Sequence, residues 1–286
     1  MPAALVEKAP AKINLTLRVI GLRRDGYHDI ESLVAFAGLG DTLSFAPGGN
    51  LALAVRGPTA AASGSIVENL VLQAAHALAE RVAGLKLGRF VLAKRLPVAA
   101  GLGGGSSDAA AAIRLLAHAN HLARDDPRLM QAARATGADV PVCLDPRPRL
   151  MRGVGDILSD PFELPPVSVI LVNPGIMLAT KNVFASLRIS GPAQAEFGWT
   201  GERAGFFAAL AGSSNDLEKP AIKLQPIIGD VLATLRALPS CRIARMSGSG
   251  ATCFGLFERA GAASAAARKL RAQHPSWWVR ATRVAA

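Results

Sequence analysis

The sequence has 286 residues, half of them hydrophobic and 19% charged, with a formal net charge of +11. This composition suits one large or two modest globular domains and argues against a disordered chain. Aromatic residues make up only 5%, with a single tyrosine, which argues against a nucleic-acid-binding surface with interleaved aromatic side chains. The positive charge fits either attraction of anionic ligands or a basic surface without a special partner.

Cysteine usage and hydropathy bear on location. Cys143, Cys241 and Cys253 lie far apart without a C-x-x-C pair, which is typical of a protein in a reducing cytoplasm. Charged residues interrupt the first twenty positions, so no signal peptide is expected. No apolar run reaches roughly eighteen residues, so no membrane-spanning segment is expected either. These features predict a cytoplasmic protein without a membrane partner.

The first predicted elements are strands. Apolar and polar residues alternate over Lys12–Val19, which predicts one strand with Lys12 and Asn14 on its polar face. Leu43–Phe45 and Leu51–Val55 flank the turn sequence PGGN. That pattern predicts a β-hairpin.

Helix signals follow. Ser65 and Glu68 have the spacing of a capping box, and apolar residues recur at helical spacing up to Gly84, which predicts a helix between them. Further along, the patterns predict a strand at 90–96, a helix from about 106 to beyond 116, and a helix that begins at Asp126–Pro127 and ends at Gly137.

The pattern changes after about residue 155, which predicts one domain over 1–155 and a second over 156–286. The elements predicted in the second domain are strands at 167–172, 242–246, 251–257 and 277–284, and helices at 181–187, 204–210, 227–238 and 262–272. This order is typical of an α+β sandwich.

A glycine-rich loop stands before the predicted helix at 106. The stretch 98–112 reads VAAGLGGGSSDAAAA. No lysine follows the glycines as a P-loop requires, and Ser106 stands where a dinucleotide fingerprint needs its third glycine. Glycines at positive φ nevertheless let backbone N–H groups converge, and the helix N-terminus attracts anions. The loop is therefore predicted to hold a triphosphate; the alternative is a mobile glycine linker.

The stretch PVAAGLGGGSSDAA (97–110) resembles the phosphate loop of the GHMP kinase superfamily. Further motifs resemble one family within it, the 4-diphosphocytidyl-2-C-methyl-D-erythritol kinases. They are APAKINL (9–15), DGYHDIES (25–32), GADVP (137–141), NDLE (215–218) and MSGSGA (246–251). The resemblance spans nearly the whole chain, in order.

This resemblance implies ATP-dependent phosphorylation of the 2-hydroxyl of the cytidine diphosphate-linked methylerythritol, giving the 2-phosphate and ADP in the non-mevalonate isoprenoid pathway. It implies an α+β fold of two domains, the N-terminal one like ribosomal protein S5 domain 2 and the C-terminal one ferredoxin-like. It also implies Mg²⁺ with ATP, no metal site of the protein's own, no nucleic-acid partner, and a monomer or weak homodimer. Another GHMP kinase, of the homoserine or mevalonate type, and a non-catalytic nucleotide-binding regulator are the alternatives.

The resemblance also assigns roles to residues. Lys12 and Asp139 match the catalytic pair; from sequence alone, a solvated strand lysine and a helix N-cap are the alternatives. The residues expected to bind ATP are Pro97, Gly101, Leu102, Gly103, Gly104, Gly105, Ser106 and Ser107. The residues expected to bind the acceptor are Asn14, Tyr27, His28, Thr180 and Phe184, with Tyr27 and His28 at the cytosine.

Overall fold

The computed structural model of the protein describes residues 4–188, 197–199 and 203–285. The strands in these ranges are β1 Leu5–Asn14, β2 Arg18–Leu22, β3 His28–Pro47, β4 Ala52–Arg56, β5 Gly88–Ala93, β6 Arg149–Gly153, β7 Ile157–Leu158, β8 Ser168–Asn173, β9 Ile243–Met246, β10 Cys253–Phe257 and β11 Trp278–Ala285. The helices are α1 Leu70–Ala79, α2 Gly104–Ala119, α3 Pro127–Thr136, α4 Val140–Leu144, α5 Thr180–Ala185, α6 Arg203–Ala211, α7 Glu218–Leu224, α8 Ile227–Arg236 and α9 Ala260–Gln273. The chain is therefore an α+β protein, as predicted.

Two compact units divide the chain, and they interleave along the sequence. Unit 1 comprises the chain up to Ala11, Leu39–Val98 and Gly103–Pro146, and unit 2 comprises Lys12–Gly38, Ala99–Leu102 and the chain from Arg147 onwards. The predicted domains 1–155 and 156–286 are consecutive instead, and their boundary stays a prediction. None of the helices in the described ranges is long and apolar enough to cross a membrane.

In unit 1, strand β5 lies between β3 and β4. It pairs antiparallel with β3, where Phe90 faces Phe45, and parallel with β4. The predicted hairpin of β3 with β4 is therefore wrong. Parallel strands need a long crossover rather than a tight turn, and the chain between β4 and β5 contains helix α1. The PGGN turn thus connects β3 to a strand, β4, that is not its neighbour in the sheet.

The helices of unit 1 begin where side chains cap them. The Oδ1 of Asn69 accepts a hydrogen bond from the backbone N–H of Val71, so the cap of α1 lies four residues after the predicted one, and the helix ends at Ala79 rather than at Gly84. Helix α3 has the predicted bounds, with Asp126 as its cap. Helix α2 packs against α1 and α4, and its alanines 109–112 are fully buried.

In unit 2, strand β8 is buried along its whole length. It pairs antiparallel with β10 on one side and with β11 on the other, and β10 pairs in turn with β9. Helices α8 and α9 pack against these strands. The predicted strands and helices of this region are present, whereas α7 was not predicted.

The predicted strand Lys12–Val19 is interrupted. Strand β1 ends at Asn14 and β2 begins at Arg18. Between them, the backbone N–H of Leu17 donates to the carbonyl of Ser214 over 3.0 Å. The alternation predicts one apolar and one polar face, but Lys12, Asn14 and Thr16 on the polar face are buried too, with Thr16 only 5% exposed.

Candidate active site

The N-terminus of α2 has the form of an anion cradle. Gly103, the residue before the helix, has a left-handed φ of 58°. The backbone N–H of Ser107 bonds to the carbonyl of Gly103 over 2.8 Å, so the amides of the preceding turn are not needed by the helix ladder. The aligned peptide dipoles of this sixteen-residue helix add partial positive charge at the same end. Within the predicted phosphate loop (Pro97–Ser107), the left-handed Gly103 and the start of α2 thus lie together in unit 1.

A buried ion cluster lies beneath this helix turn. The Nζ of Lys94 is 2.6 Å from Asp41 Oδ2 and 2.5 Å from Asp108 Oδ2. A Cβ added at Gly104 would stand 3.2 Å from the same Nζ. The other oxygen of Asp41 accepts hydrogen bonds from the backbone N–H groups of Arg95 and Leu96. The cluster therefore joins the start of α2 to the chain that enters the phosphate loop.

Burial raises the pKa of Asp108 to about 7, against the lowering effect of Lys94. Burial opposes the charge of Lys94 as well, but Asp108 and Asp41 raise the pKa of this amine. The sequence analysis missed this cluster. Its one local signal is Asp108 itself, a carboxylate on the alanine-rich face of a helix.

Lys12 and Asn14 belong to a buried hydrogen-bond network in unit 2. The Nζ of Lys12, a residue only 3% exposed, donates to Asn14 Oδ1 over 3.2 Å. Asn14 Nδ2 donates to Ser32 Oγ over 2.7 Å, and that hydroxyl donates to the carbonyl of Thr16. Lys12 is therefore not a solvated strand lysine, and the prediction that Lys12 and Asn14 share a face is confirmed.

The same strand is tied to the phosphate loop through its backbone. The N–H of Lys12 donates to the carbonyl of Leu102 over 2.8 Å, and the side chain of Leu102 is fully buried. Leu102 thus positions Lys12. Because the carbonyl and the side chain of Leu102 are engaged in the protein, the group that it can offer to a nucleotide is its backbone N–H. Pro97 and Ser106 are partly exposed, and Gly105 is exposed.

Asp139 lies at the start of α4 in unit 1. It is at the N-cap position and is partly exposed, but its carboxylate makes no capping hydrogen bond to the backbone of α4. The side chain of Asp139 therefore does not cap α4, which was the alternative to a catalytic role.

Two of the predicted acceptor-binding residues meet in unit 2. The rings of His28 and Phe184 have centroids 4.8 Å apart at an interplanar angle of 30°. Tyr27 is 63% exposed, and its backbone N–H donates to Asp25 Oδ1 over 3.1 Å in the turn before β3. Tyr27 is therefore not a core aromatic, and its ring is available to a ligand. Thr180, the first residue of α5, places its hydroxyl 2.8 Å from that of Ser249.

The NDLE motif is a structural clamp. Asn215 Nδ2 donates to the carbonyls of Met246 and Gly248, over 2.8 Å in each case. Asp216 Oδ2 accepts from the backbone N–H of Val19. The clamp therefore holds the chain after Lys12 and Asn14 in place.

Arg245, which the sequence analysis missed, reinforces this support. It is 7% exposed, and its guanidinium donates to the carbonyls of Leu15, Leu210 and Ser213. Burial lowers the pKa of Arg245. A planar cation that bonds three carbonyl oxygens fixes the relative positions of the segments that carry them.

Comparison with known proteins agrees with this fold. Family models described as GHMP kinases N terminal domain and GHMP kinases C terminal match residues 69–145 and 197–276. The fold and the phosphate loop thus define a GHMP kinase. A 4-diphosphocytidyl-2-C-methyl-D-erythritol kinase of Xanthobacter autotrophicus is 58% identical, over 96% of this chain and 97% of that protein. The chain belongs to the 4-diphosphocytidyl-2-C-methyl-D-erythritol kinase family.

Further relatives are similar over nearly their full length. A kinase of the same name from Methylorubrum extorquens is 52% identical, over 99% of this chain and 100% of that protein. The crystal structure of a 4-(cytidine 5'-diphospho)-2C-methyl-D-erythritol kinase matches with a TM-score of 0.79 and 37% identity, over 99% of this chain and 100% of that one. A homoserine kinase from Cytophaga hutchinsonii, with a TM-score of 0.75 at 18% identity, covering 99% of this chain and 96% of that one, shares the fold.

Proposed function

We propose that this protein transfers the γ-phosphoryl group of ATP to the 2-hydroxyl of 4-diphosphocytidyl-2-C-methyl-D-erythritol, giving the 2-phosphate and ADP in the non-mevalonate isoprenoid pathway. The chain is an ATP-dependent small-molecule kinase by its family. The structural observation that best supports this function is the buried Lys12. Its side chain is hydrogen-bonded to Asn14, and its backbone N–H is hydrogen-bonded to the phosphate loop.

ATP takes the phosphate loop in this proposal. The amides of Gly103, Gly104 and Gly105 and the hydroxyls of Ser106 and Ser107 face its phosphates, with Pro97, Gly101 and Leu102 shaping the entry. Such a site binds phosphate through backbone N–H groups and the helix dipole. The support is the left-handed Gly103 and the start of α2 directly after it.

Mg²⁺ accompanies ATP in the proposal and neutralises charge on the phosphates when bound. The Oγ of Ser107 is buried and has no hydrogen-bond partner within the described ranges. A hydroxyl oxygen is a suitable Mg²⁺ ligand, with phosphate oxygens and water as the others. The residues present therefore fit the ion, and Ser107 is the side chain that would hold it. Among the same residues, no three His, Cys, Asp or Glu side chains are grouped so as to hold a metal by themselves.

Asp139 and Lys12 are the proposed catalytic residues. The acceptor oxygen attacks the γ-phosphorus. The bond between the γ-phosphorus and the oxygen that bridges it to the β-phosphate breaks, and ADP leaves. An alkoxide is too basic to form beforehand, so Asp139 accepts the hydroxyl proton late in the transfer. Lys12 stabilises the charge on the transferring group, and Asn14 orients the acceptor.

His28, Tyr27 and Phe184 are the proposed cytosine site. A ring face can stack on the base, while a histidine can read the edge that distinguishes cytosine from uracil. The contact of His28 with Phe184 and the exposed ring of Tyr27 support this assignment. Thr180, whose side chain reaches Ser249, is the proposed polar residue at its edge.

Several further properties belong to the same proposal. The N-terminal domain (1–155) is like ribosomal protein S5 domain 2 and the C-terminal domain (156–286) is ferredoxin-like. The protein acts in the cytoplasm as a monomer or weak homodimer. The spacing of its cysteines, none of which forms a disulfide among the described residues, supports the location.

A substrate panel tests the function. ADP release is measured with ATP and Mg²⁺ and one acceptor at a time: 4-diphosphocytidyl-2-C-methyl-D-erythritol, homoserine, mevalonate or none. We expect turnover with the cytidine compound only. Comparable turnover with homoserine or mevalonate would contradict the proposed acceptor, and no turnover with any acceptor would contradict catalysis itself.

A further inference from the structure

The turn that joins β9 to β10 presses against the phosphate loop. We call residues Ser247–Gly250 the SGSG turn. The Oγ of Ser247 donates to the carbonyl of Gly101 over 2.8 Å. Gly101 has a φ of 74°, and a Cβ added there would stand 2.2 Å from the carbonyl oxygen of Ser247. Such close backbone contact means that Gly101 cannot shift without the SGSG turn.

The other side of the same turn contacts helix α5. The hydroxyls of Ser249 and Thr180 are 2.8 Å apart, and Ser249 is only 8% exposed. The turn closes on itself through the N–H of Gly250, which donates to the carbonyl of Ser247 over 3.0 Å. The clamp by Asn215 braces it further. Ser249 therefore moves with Ser247.

Helix α5 carries this contact to the proposed base site. Thr180 is its first residue, and Phe184 follows about one helical turn later, with its ring against His28. The helix has six residues, of which only Val183 is buried. Beyond the buried Val183 and the packing of α5 on α7, a helix this short depends on the contacts at its two ends for its position. Gly101, Ser247, Ser249, Thr180 and Phe184 thus form one contiguous path within unit 2.

We propose that Ser249 and Thr180 are positioning residues that couple the occupancy of the phosphate loop to binding of the acceptor's base between His28 and its neighbours. The inference rests on the proposed function, since it takes the phosphate loop as the ATP site and His28 with Phe184 as the base site. A nucleotide that orders Gly101 orders the SGSG turn, and with it α5. By linkage each substrate then raises the affinity of the protein for the other by the same factor.

Calorimetry on the intact protein tests the coupling. The acceptor 4-diphosphocytidyl-2-C-methyl-D-erythritol is titrated with and without a non-hydrolysable ATP analogue and Mg²⁺. For the unsubstituted protein we expect the analogue to lower the acceptor Kd by about fivefold or more, the lower end of typical couplings. Ser249→Ala should reduce that factor to below about twofold, while each binary Kd stays within about twofold of its original value.

The partner residue gives a second, independent test. Thr180→Val keeps the shape but removes the hydroxyl, and it should abolish the coupling. Because Thr180 also lies at the edge of the proposed base site, the readout for this variant is the coupling factor and not the binary Kd. Thr180→Ser should retain the coupling. The double variant should lose no more than either single variant, since both remove the same bond. Thermal unfolding shows that each variant is folded, and the Thr180 pair stands even if Ser249→Ala fails to fold.

Ser186→Ala is the matched control. Its hydroxyl, at the other end of α5, donates to the carbonyl of Asn182 within the helix, so its loss should leave the coupling intact. If Ser249→Ala raised the acceptor Kd by the same factor with and without the analogue, the inference would be overturned. Ser249 would then support the base site regardless of whether the phosphate loop is occupied. Normal turnover without coupling in the unsubstituted protein would overturn it as well. An unsubstituted protein that does not phosphorylate the cytidine compound would instead overturn the proposed function.

Discussion

Two hydrogen bonds orient the side-chain amide of Asn14. Lys12 Nζ donates to Asn14 Oδ1, and Asn14 Nδ2 donates to the hydroxyl of Ser32. Because the amide cannot rotate without breaking both bonds, the position of Lys12 Nζ is defined before any ligand binds. Preorganised charge of this kind costs no reorganisation when charge develops on a transferring phosphoryl group.

The proposed catalytic pair can be tested by removing either charge. We expect Asp139→Asn to retain nucleotide binding but to lose kcat by roughly two to four orders of magnitude, the scale of a lost proton acceptor. Lys12→Met should lose a similar amount, and the double variant little more, since groups that act as a unit are not additive. The measurement is ADP release at saturating substrates, with nucleotide titration as the control. A near-normal kcat for Asp139→Asn would show that another group accepts the proton.

Gly101 offers a test of the phosphate loop. Gly101→Ala should greatly weaken ATP binding, because its Cβ would meet the backbone of Ser247 and Gly250 in addition to its strained φ. Gly84→Ala is the matched control: its φ of 71° is similar, but nothing lies within 4 Å of the added Cβ. The control should cost about 1–2 kcal/mol of stability and leave the nucleotide Kd unchanged. Equal nucleotide affinities for the two variants would contradict the proposed role of the loop.

The cap of α3 predicts a pH dependence of stability. The side chain and backbone N–H of Arg128 hold the pKa of Asp126 at about 2. A carboxyl with a lowered native pKa contributes stability that is fully present above its unfolded pKa, about 4, and that is lost as pH falls through about 2. Asp126→Ala should therefore lower the free energy of unfolding at pH 6, and the difference should shrink towards pH 2.

Asp125→Ala is the control for that cap, since it removes the same charge one position earlier without removing the capping bond. Urea unfolding at several pH values measures both variants. If both variants showed the same pH dependence, the effect would come from net charge and not from the cap.

His28 is expected to set the preference for cytosine. Uracil presents an acceptor where cytosine presents a donor, and a site with unpaired polar groups rejects the wrong base strongly. His28→Ala should raise KM for the cytidine compound, leave KM for ATP nearly unchanged, and narrow the gap in kcat/KM between the cytidine and uridine compounds. If that ratio did not change, the base would be read by another group.

Tyr27→Ala serves as the comparison for His28. Its exposed ring can stack on either base, and stacking is tolerant of base identity. We expect this variant to weaken both compounds alike. A selective loss with the cytidine compound would move the discrimination to Tyr27.

Local signals predicted some elements well and others badly, for identifiable reasons. Helix α3 has its predicted bounds because Asp126, Pro127 and Gly137 all act within a few residues of its ends. Helix α1 begins late because Asn69 caps it in place of Ser65, which has equally good capping chemistry. The hairpin prediction failed because β5, far along the chain, takes the place beside β3.

The same distinction holds at the site. A two-residue period was enough to place Lys12 and Asn14 on one face. The contact of Lys94 with Asp41 joins residues 53 positions apart, and Arg245 meets Leu15 across 230 positions. No periodicity or local motif carries such pairings, because they depend on how distant segments pack.

Strand β11 has a consequence for folding kinetics. Its residues pair with β8, and Val284 also pairs with Ala37 on β3, more than 200 positions earlier in the chain. Contacts between residues so far apart in sequence form only after the loop-closure entropy has been lost, so they slow folding. Until β11 pairs with it, β8, which is buried along its whole length in the folded protein, exposes an unpaired edge, which is a template for aggregation. Refolding of unit 2 at high protein concentration should therefore compete with association through β8.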